Sequence, residues 1–185
     1  MTARAAEKRR RILDAARFLI LRQGLRGTSM EAIAREAGIA KPTLYAQFAD
    51  KDAIFGGIVD AMIGELVAAY GNGMAGSGAV SERIGAALAG KYGVIARTLA
   101  GSPHAGELYD EHNRVAERFR AVDDKVQGEI AAALSAAGVA DGAGLARLLL
   151  AAAYGLARKL GSEAEMAAAI RLLCHRLIEP ELRRS

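Results

Sequence analysis

The side chains best suited to metal or acid–base chemistry fall in one short stretch. His104, Glu107 and Glu111 lie at i, i+3 and i+7, with His112 adjacent. On a helix that spacing could gather a divalent cation, but it matches no recognised ligand signature. A solvated acidic helix is the plainer reading, and no metal or other cofactor is expected. The single cysteine, Cys174, lies in an apolar stripe. It reads as a buried, inert thiol, rules out an intrachain disulfide and fits a reducing cytoplasm. Three histidines offer little general-base material, and there is no nucleophile elbow, catalytic carboxylate pair or zinc signature. The run Gly71–Gly78 lacks the Lys-Ser/Thr that follows a phosphate-binding loop. An enzyme is not expected.

The charge distribution points elsewhere. Residues 1–51 carry eleven Lys or Arg against five Asp or Glu, whereas the remainder carries fourteen against sixteen. The excess of positive charge in the chain therefore belongs to its first third, which suits a polyanion, although a solubilising segment would look the same. The longest apolar run, Leu148 to Ala157, is too short for the roughly 18–20 residues that span a bilayer, so no membrane segment is expected. Asp14, Arg17 and Arg22 interrupt the place where a signal peptide would carry its apolar core.

The elements that must position any site are helical, because apolar residues recur with helical period and no alternating run of strand length appears. A first helix is expected from about Ala5 to Gln23, with Ile12, Ala16, Leu19 and Gln23 on one side and Gly24 as its stop. Thr28 and Glu31 have the spacing of a capping box, opening a second helix that Gly38 ends. A third helix starts at Lys41-Pro42, where proline is tolerated, and ends near Phe48. Asp50 reads as the cap of a fourth, Lys51 to about Tyr70, and Gly71–Gly78 reads as a loop or hinge. Further helical segments cover about 80–100, 103–137, 142–160 and 163–179, the second with a break near Asn113 or Asp123. Ser102, Asp141 and Ser162 are their candidate caps.

Two short helices about a turn at Gly38, preceded by a longer one, make a helix-turn-helix unit. Ala34 and Ala37 are small where helices must approach, and Ile33, Ile39, Leu44 and Phe48 can close a core on Ile12, Leu13, Ala16 and Leu19. Lys41, Thr43, Ala46 and Gln47 remain outward on the third helix, with Tyr45 beside them. These residues resemble the TetR family of regulators. The match runs through Arg11-Ile12-Leu13-Asp14-Ala15-Ala16, Gly24, Gly27-Thr28-Ser29-Met30, Ile33-Ala34-Arg35-Glu36-Ala37-Gly38-Ile39 and Thr43-Leu44-Tyr45, then Phe48, Lys51 and Phe55. It covers about residues 8–56.

The resemblance implies an all-α protein with a three-helix helix-turn-helix DNA-binding domain at 1–50 and a helical ligand-binding and dimerisation domain at 51–185. Lys41 to Phe48 would enter the major groove. Lys41, Pro42, Thr43 and Ala46 would face base edges, and Tyr45, Gln47, Thr28, Ser29 and Lys51 would contact phosphates. Arg9, Arg10 and Arg11 are either a solvated face or an added backbone contact. Residues 145–157 are apolar almost all round, and Met166, Ile170, Leu173, Cys174 and Leu177 form a stripe. By resemblance these last two helices, about 142–160 and 163–179, build a homodimer matched to a palindromic operator in double-stranded DNA. The helices at 80–137 would hold a small-molecule inducer, with Tyr92, His104, Tyr109, His112, Phe119 and Tyr154 as candidate contacts. A cytoplasmic repressor is the implied function. An architectural DNA-binding protein without an inducer is the competing reading, and an enzyme using the helical pocket a more distant one.

Overall fold

Eight helices and no strand make up the described residues, 3–99, 103–104, 113–160 and 162–183, of the computed structural model. In chain order they are α1 (Ala3–Gly27), α2 (Met30–Glu36), α3 (Lys41–Tyr45), α4 (Lys51–Met74), α5 (Val80–Leu99), α6 (Asn113–Ala136), α7 (Gly142–Lys159) and α8 (Glu163–Leu182). The all-α expectation holds. The chain divides into two compact units, Met1–Met62 with Leu99–Ala116 and Ile63–Thr98 with Glu117–Ser185.

In the first unit, α1 buries Ile12, Ala16 and Ile20, spaced one helical turn apart, and leaves Leu13 and Leu19 half-buried. The predicted stripe ran on to Gln23, which is instead exposed and donates its side-chain amide to the Gly27 carbonyl (3.1 Å). Regular helix ends at Gly24, whose φ of 78° only glycine adopts readily. The capping-box prediction is off by one residue. Ser29 is the N-cap of α2 and accepts from the Ala32 N–H (3.1 Å), while Thr28 is buried and donates its hydroxyl to the Gly24 carbonyl (2.8 Å). A buried hydroxyl must find a partner, and the carbonyl freed by the Gly24 break is the nearest.

At the other end of α2, Gly38 adopts φ 62° and the chain closes a Schellman turn: the Ile39 N–H bonds the Ala34 carbonyl (3.0 Å) and the Gly38 N–H that of Arg35 (3.1 Å). The Ala37 carbonyl, just past the helix, accepts from the Arg11 guanidinium of α1 (2.7 Å). Lys51, at the start of α4, makes a second bond set of the same kind. Its ammonium donates to the carbonyls of Leu25 (2.6 Å) and Thr28 (3.1 Å) at the end of α1. Asp50 caps α4 as expected, accepting from the Ala53 N–H (2.7 Å). Ile54, Phe55, Ile58, Val59 and Met62 then bury the first half of α4.

The second unit corrects the reading of the glycine run. Helix α4 continues through Gly71 and Gly73 to Met74, and the break falls at residues 75–79. A Cβ on Gly73 would stand 2.3 Å from the Ala87 backbone nitrogen, and one on Gly90 2.9 Å from the Ala69 carbonyl oxygen. These glycines serve close packing of α4 on α5 rather than a turn. By length and composition alone, α4 is apolar enough to cross a membrane, which the sequence reading did not anticipate. Its apolar residues Ile54, Phe55, Leu66 and Tyr70 are buried in the protein, as in an ordinary core helix.

Asp141 and Ser162 cap α7 and α8 as expected, accepting from the N–H groups of Gly144 and Glu165. Helix α6 runs unbroken through Asp123, one of the two breaks considered. The predicted Ser102 cap lies outside the described residues. Met166, Ile170, Cys174 and Ile178 of α8 join Ile84, Leu88, Ile130, Leu134, Leu149 and Ala153 in one core. Burial pushes the Cys174 thiol up to about 12, so it stays protonated and unreactive. Helix α7, expected to be buried on most sides, buries only Gly142, Ala146, Leu149, Leu150 and Ala153 within the chain.

Lys91 of α5 is buried, with its ammonium 2.7 Å from the Asp123 carboxylate of α6 and 4.1 Å from the Tyr92 ring centre. Removing the carboxylate strands a buried cation, whereas an apolar side chain in place of the lysine strands only a half-exposed acid. Asp123→Ala is therefore expected to lower the unfolding free energy by about 2 kcal/mol and Lys91→Met by under about 1 kcal/mol. Urea unfolding measures both, and the reverse order would contradict the buried-charge account. Burial also holds Lys91 below the ordinary lysine value of 10.5. Between its folded value and 10.5 the unfolded chain binds more protons, so its contribution to stability rises with pH through that window. For Lys51→Met, loss of two carbonyl bonds from a charged donor should cost about 1–2 kcal/mol in the absence of any DNA. Unchanged stability would mean that the clamp on α1 contributes nothing.

Candidate nucleic-acid interface

Helix α3 has five residues, too few to be stable alone, and it is held by what it buries. Leu44 is fully buried and Phe48 almost so, one turn apart. The DNA-reading segment was expected to be helical to Phe48. Regular helix stops at Tyr45, although the Ala46 N–H still bonds the Pro42 carbonyl (3.0 Å) and the Phe48 N–H that of Leu44 (2.9 Å). The turn after the helix thus keeps Phe48 in register with Leu44. With that side fixed, Lys41, Pro42, Tyr45 and Ala46 are exposed and Thr43 and Gln47 half-buried. All six residues expected on the reading surface except the two half-buried ones are open to solvent.

Three of the other expected contacts take different positions. Ser29 is exposed, at the cap of α2. Thr28 is 2 % exposed with its hydroxyl bonded inside the turn. Lys51 is half-buried with its ammonium on two carbonyls. The expectation for Lys51 rested on a cation being unfavourable at a helix start unless an anion binds there. The structure supplies a different partner, the carbonyl oxygens at the end of α1.

The Arg9–Arg11 run is similarly engaged. Arg9 lies over the Phe48 ring (4.2 Å), Arg10 pairs with Glu7 (2.8 Å), and Arg11 caps Ala37. Sequence reasoning missed Glu31 altogether. Its carboxylate forms an ion pair with Lys41, bringing the first turn of α2 against the first residue of α3. The pair holds the Glu31 carboxyl below and the Lys41 ammonium above their ordinary values, first through their mutual hydrogen bond. Lys41 also lies 5.9 Å from the Tyr45 ring centre.

The candidate ligand contacts are dispersed. Tyr92 is buried, its hydroxyl donating weakly to the Leu150 carbonyl (3.4 Å). Phe119 is half-buried. Tyr154 is 46 % exposed and its hydroxyl accepts from Arg158 (3.0 Å), so it faces outward from α7. His104 is half-buried and belongs to the first compact unit, whereas Tyr92, Phe119 and Tyr154 belong to the second. Tyr109 and His112 lie outside the described residues, as do Glu107 and Glu111 of the metal reading. Among the described residues no cluster of three or more potential metal ligands occurs. One buried polar group was not anticipated. The Tyr70 hydroxyl makes no hydrogen bond of ordinary length, and burial beside the Glu129 carboxylate raises it above the usual phenol range.

Comparison with known proteins places this geometry. Residues 12–58 match the model of bacterial regulatory proteins of the tetR family. A TetR transcriptional regulator from Chloroflexus aurantiacus J-10-FL superposes with a TM-score of 0.72 at 24% identity, over 96% of this chain and 98% of that one. A TetR-like regulator from Rhodococcus sp. RHA1 gives 0.71 at 23% identity, over 91% and 94%. A TetR/AcrR-family regulator from Thermobifida fusca YX-ER1 gives 0.66 at 26% identity, over 91% and 96%. Curated proteins give no match. Residues 12–58 thus carry the match to the tetR family of bacterial regulatory proteins, and the described helices follow the fold of these solved transcriptional regulators.

Proposed function

We propose that this protein is a cytoplasmic, homodimeric repressor that binds a palindromic operator and is released from it by a small molecule. The observation that carries the DNA-binding part is the amphipathic anchoring of α3. Leu44 and Phe48 are buried, while Lys41, Pro42, Tyr45 and Ala46 are presented together at the surface. Lys41 is suited to guanine acceptors, and Pro42, Thr43 and Ala46 to a thymine methyl. Tyr45, Gln47 and Ser29 are suited to phosphate oxygens. Thr28 and Lys51 act one step back, holding the turn and the α1 end that set the position of α2.

A dimer is supported by what the chain leaves uncovered on α7 and α8. Leu148 is 52 % and Leu172 56 % exposed, and a Cβ on Gly155 would meet nothing within 4 Å. An apolar, small-residue face of this kind suits a two-fold contact between copies. Two recognition helices would then stand about 34 Å apart, one DNA turn. For the inducer, Tyr70 and Tyr92 offer hydroxyls in the core of the second unit, one without an ordinary partner and one with a long bond. Ligand binding there would shift α4, which continues into the DNA-binding unit, and so change the spacing of the reading helices.

Selection of bound DNA from a random pool tests this reading: a short palindrome is expected, and binding without sequence preference would favour an architectural protein. Tyr45→Phe should weaken all sequences alike, by about fivefold per half-site for one phosphate bond of about 1 kcal/mol. Lys41→Ala should instead relax preference at particular bases. The double variant Leu148→Arg, Leu172→Arg should sediment as a monomer and lose operator affinity by about 100-fold. A dimeric double variant would place the interface elsewhere.

A further inference from the structure

We infer that Glu31 is a second base-reading residue, which with Lys41 forms a donor–acceptor pair specifying one G·C pair in each half-site. The inference rests on the proposed role of α3 in the major groove. Glu31 belongs to α2, yet its carboxylate is in contact with the Lys41 ammonium at the leading end of the reading helix. The pair does little for the fold, since the two side chains are 54 % and 58 % exposed and an exposed ion pair contributes roughly 0–1 kcal/mol. It also places a negative charge on the face that must meet a polyanion. That charge is tolerated best where the DNA itself supplies a hydrogen-bond donor.

In the major groove a carboxylate can only accept, and the donors there are the exocyclic amines of cytosine and adenine. The ammonium can only donate, and its best acceptors are guanine O6 and N7. Across a G·C pair these groups run acceptor, acceptor, donor, so a joined ammonium and carboxylate meet guanine and cytosine side by side. Across an A·T pair the order is acceptor, donor, acceptor, so the ammonium keeps a single acceptor beside the donor in place of guanine's adjacent two, and the pair is held less well. The hydrogen bond between the two side chains holds the Glu31 carboxyl below and the Lys41 ammonium above their ordinary values, which favours the charged form of each.

The test is selection from a random DNA pool by the full-length wild type, Glu31→Ala, Lys41→Ala and the double variant, each checked for unchanged thermal unfolding. Wild type should enrich a half-site with a fixed G·C pair. Glu31→Ala should lose roughly tenfold of the discrimination at that pair while other positions stay fixed, given about 1–3 kcal/mol for a good base contact. Glu31→Gln, which keeps the shape and can pair with adenine, should admit A·T there. A motif unchanged in Glu31→Ala, with affinity rising uniformly, would reduce Glu31 to a phosphate-repelling charge and overturn the inference. So would a double variant no more relaxed than Lys41→Ala, since Glu31 would then only position the lysine. Failure of the wild type to enrich any motif would instead overturn the DNA-reading role itself, and this inference with it.

Discussion

Helix ends leave carbonyl groups without partners, and in the first unit the disposal of those carbonyls governs what surrounds α3. Arg11 takes the Ala37 carbonyl at the end of α2, and Lys51 takes those of Leu25 and Thr28 at the end of α1. Each cation reaches from another helix, so each bond fixes a helix pair rather than merely finishing a helix. Arg11 ties α1 to the end of α2, and both helices bury apolar residues, Ile12 and Ile33 among them. Only then can the Gly38 turn deliver Lys41 to a defined place. Helix α3, with five residues, has no stability of its own to contribute to that placement.

The same bonds change the meaning of the basic charge. Eleven cationic residues in the first 51 suggest a surface waiting for a polyanion. Yet Arg9, Arg10, Arg11, Lys41 and Lys51 each have a partner within the protein: an aromatic ring, a carboxylate, or a backbone carbonyl. Charge-driven attraction survives at long range, because a paired guanidinium still carries its charge. Short-range contacts are another matter, since donors aimed at carbonyls are not free to grip phosphates. Affinity would then rest more on shape and on a few exposed groups such as Tyr45 than the charge count suggests.

What was legible in the sequence was whatever is decided within about one helical turn. Asp50, Asp141 and Ser162 cap as read, because a cap is a contact between a side chain and an N–H three residues on. Gly38 ends α2 as read, because its φ of 62° admits few other residues. The candidate interface was legible to the same extent, since Leu44 and Phe48 fix which residues of α3 face out. Lys51 and Arg11 were not, for their acceptors lie 23 or 26 positions away in sequence. Glu31 was missed for the same reason, its partner being on another helix. Thr28 and Ser29 compete for one cap, and the Gly24 carbonyl, freed by a local break, decided between them.

Glycine illustrates why local reading fails where packing takes over. The run from Gly71 to Gly78 has the composition of a loop, and its last part is one. Gly73, however, stays helical because α5 approaches so closely that no Cβ fits against Ala87. Gly155 raises the opposite question, since nothing in the chain occupies the space beside it. A glycine inside a helix costs roughly 0.5–1 kcal/mol relative to alanine, and Gly73 recovers that through the packing of its own chain. Gly155 has no such return within one copy. Together with Leu148 and Leu172 it belongs to the face proposed above as the contact between two copies.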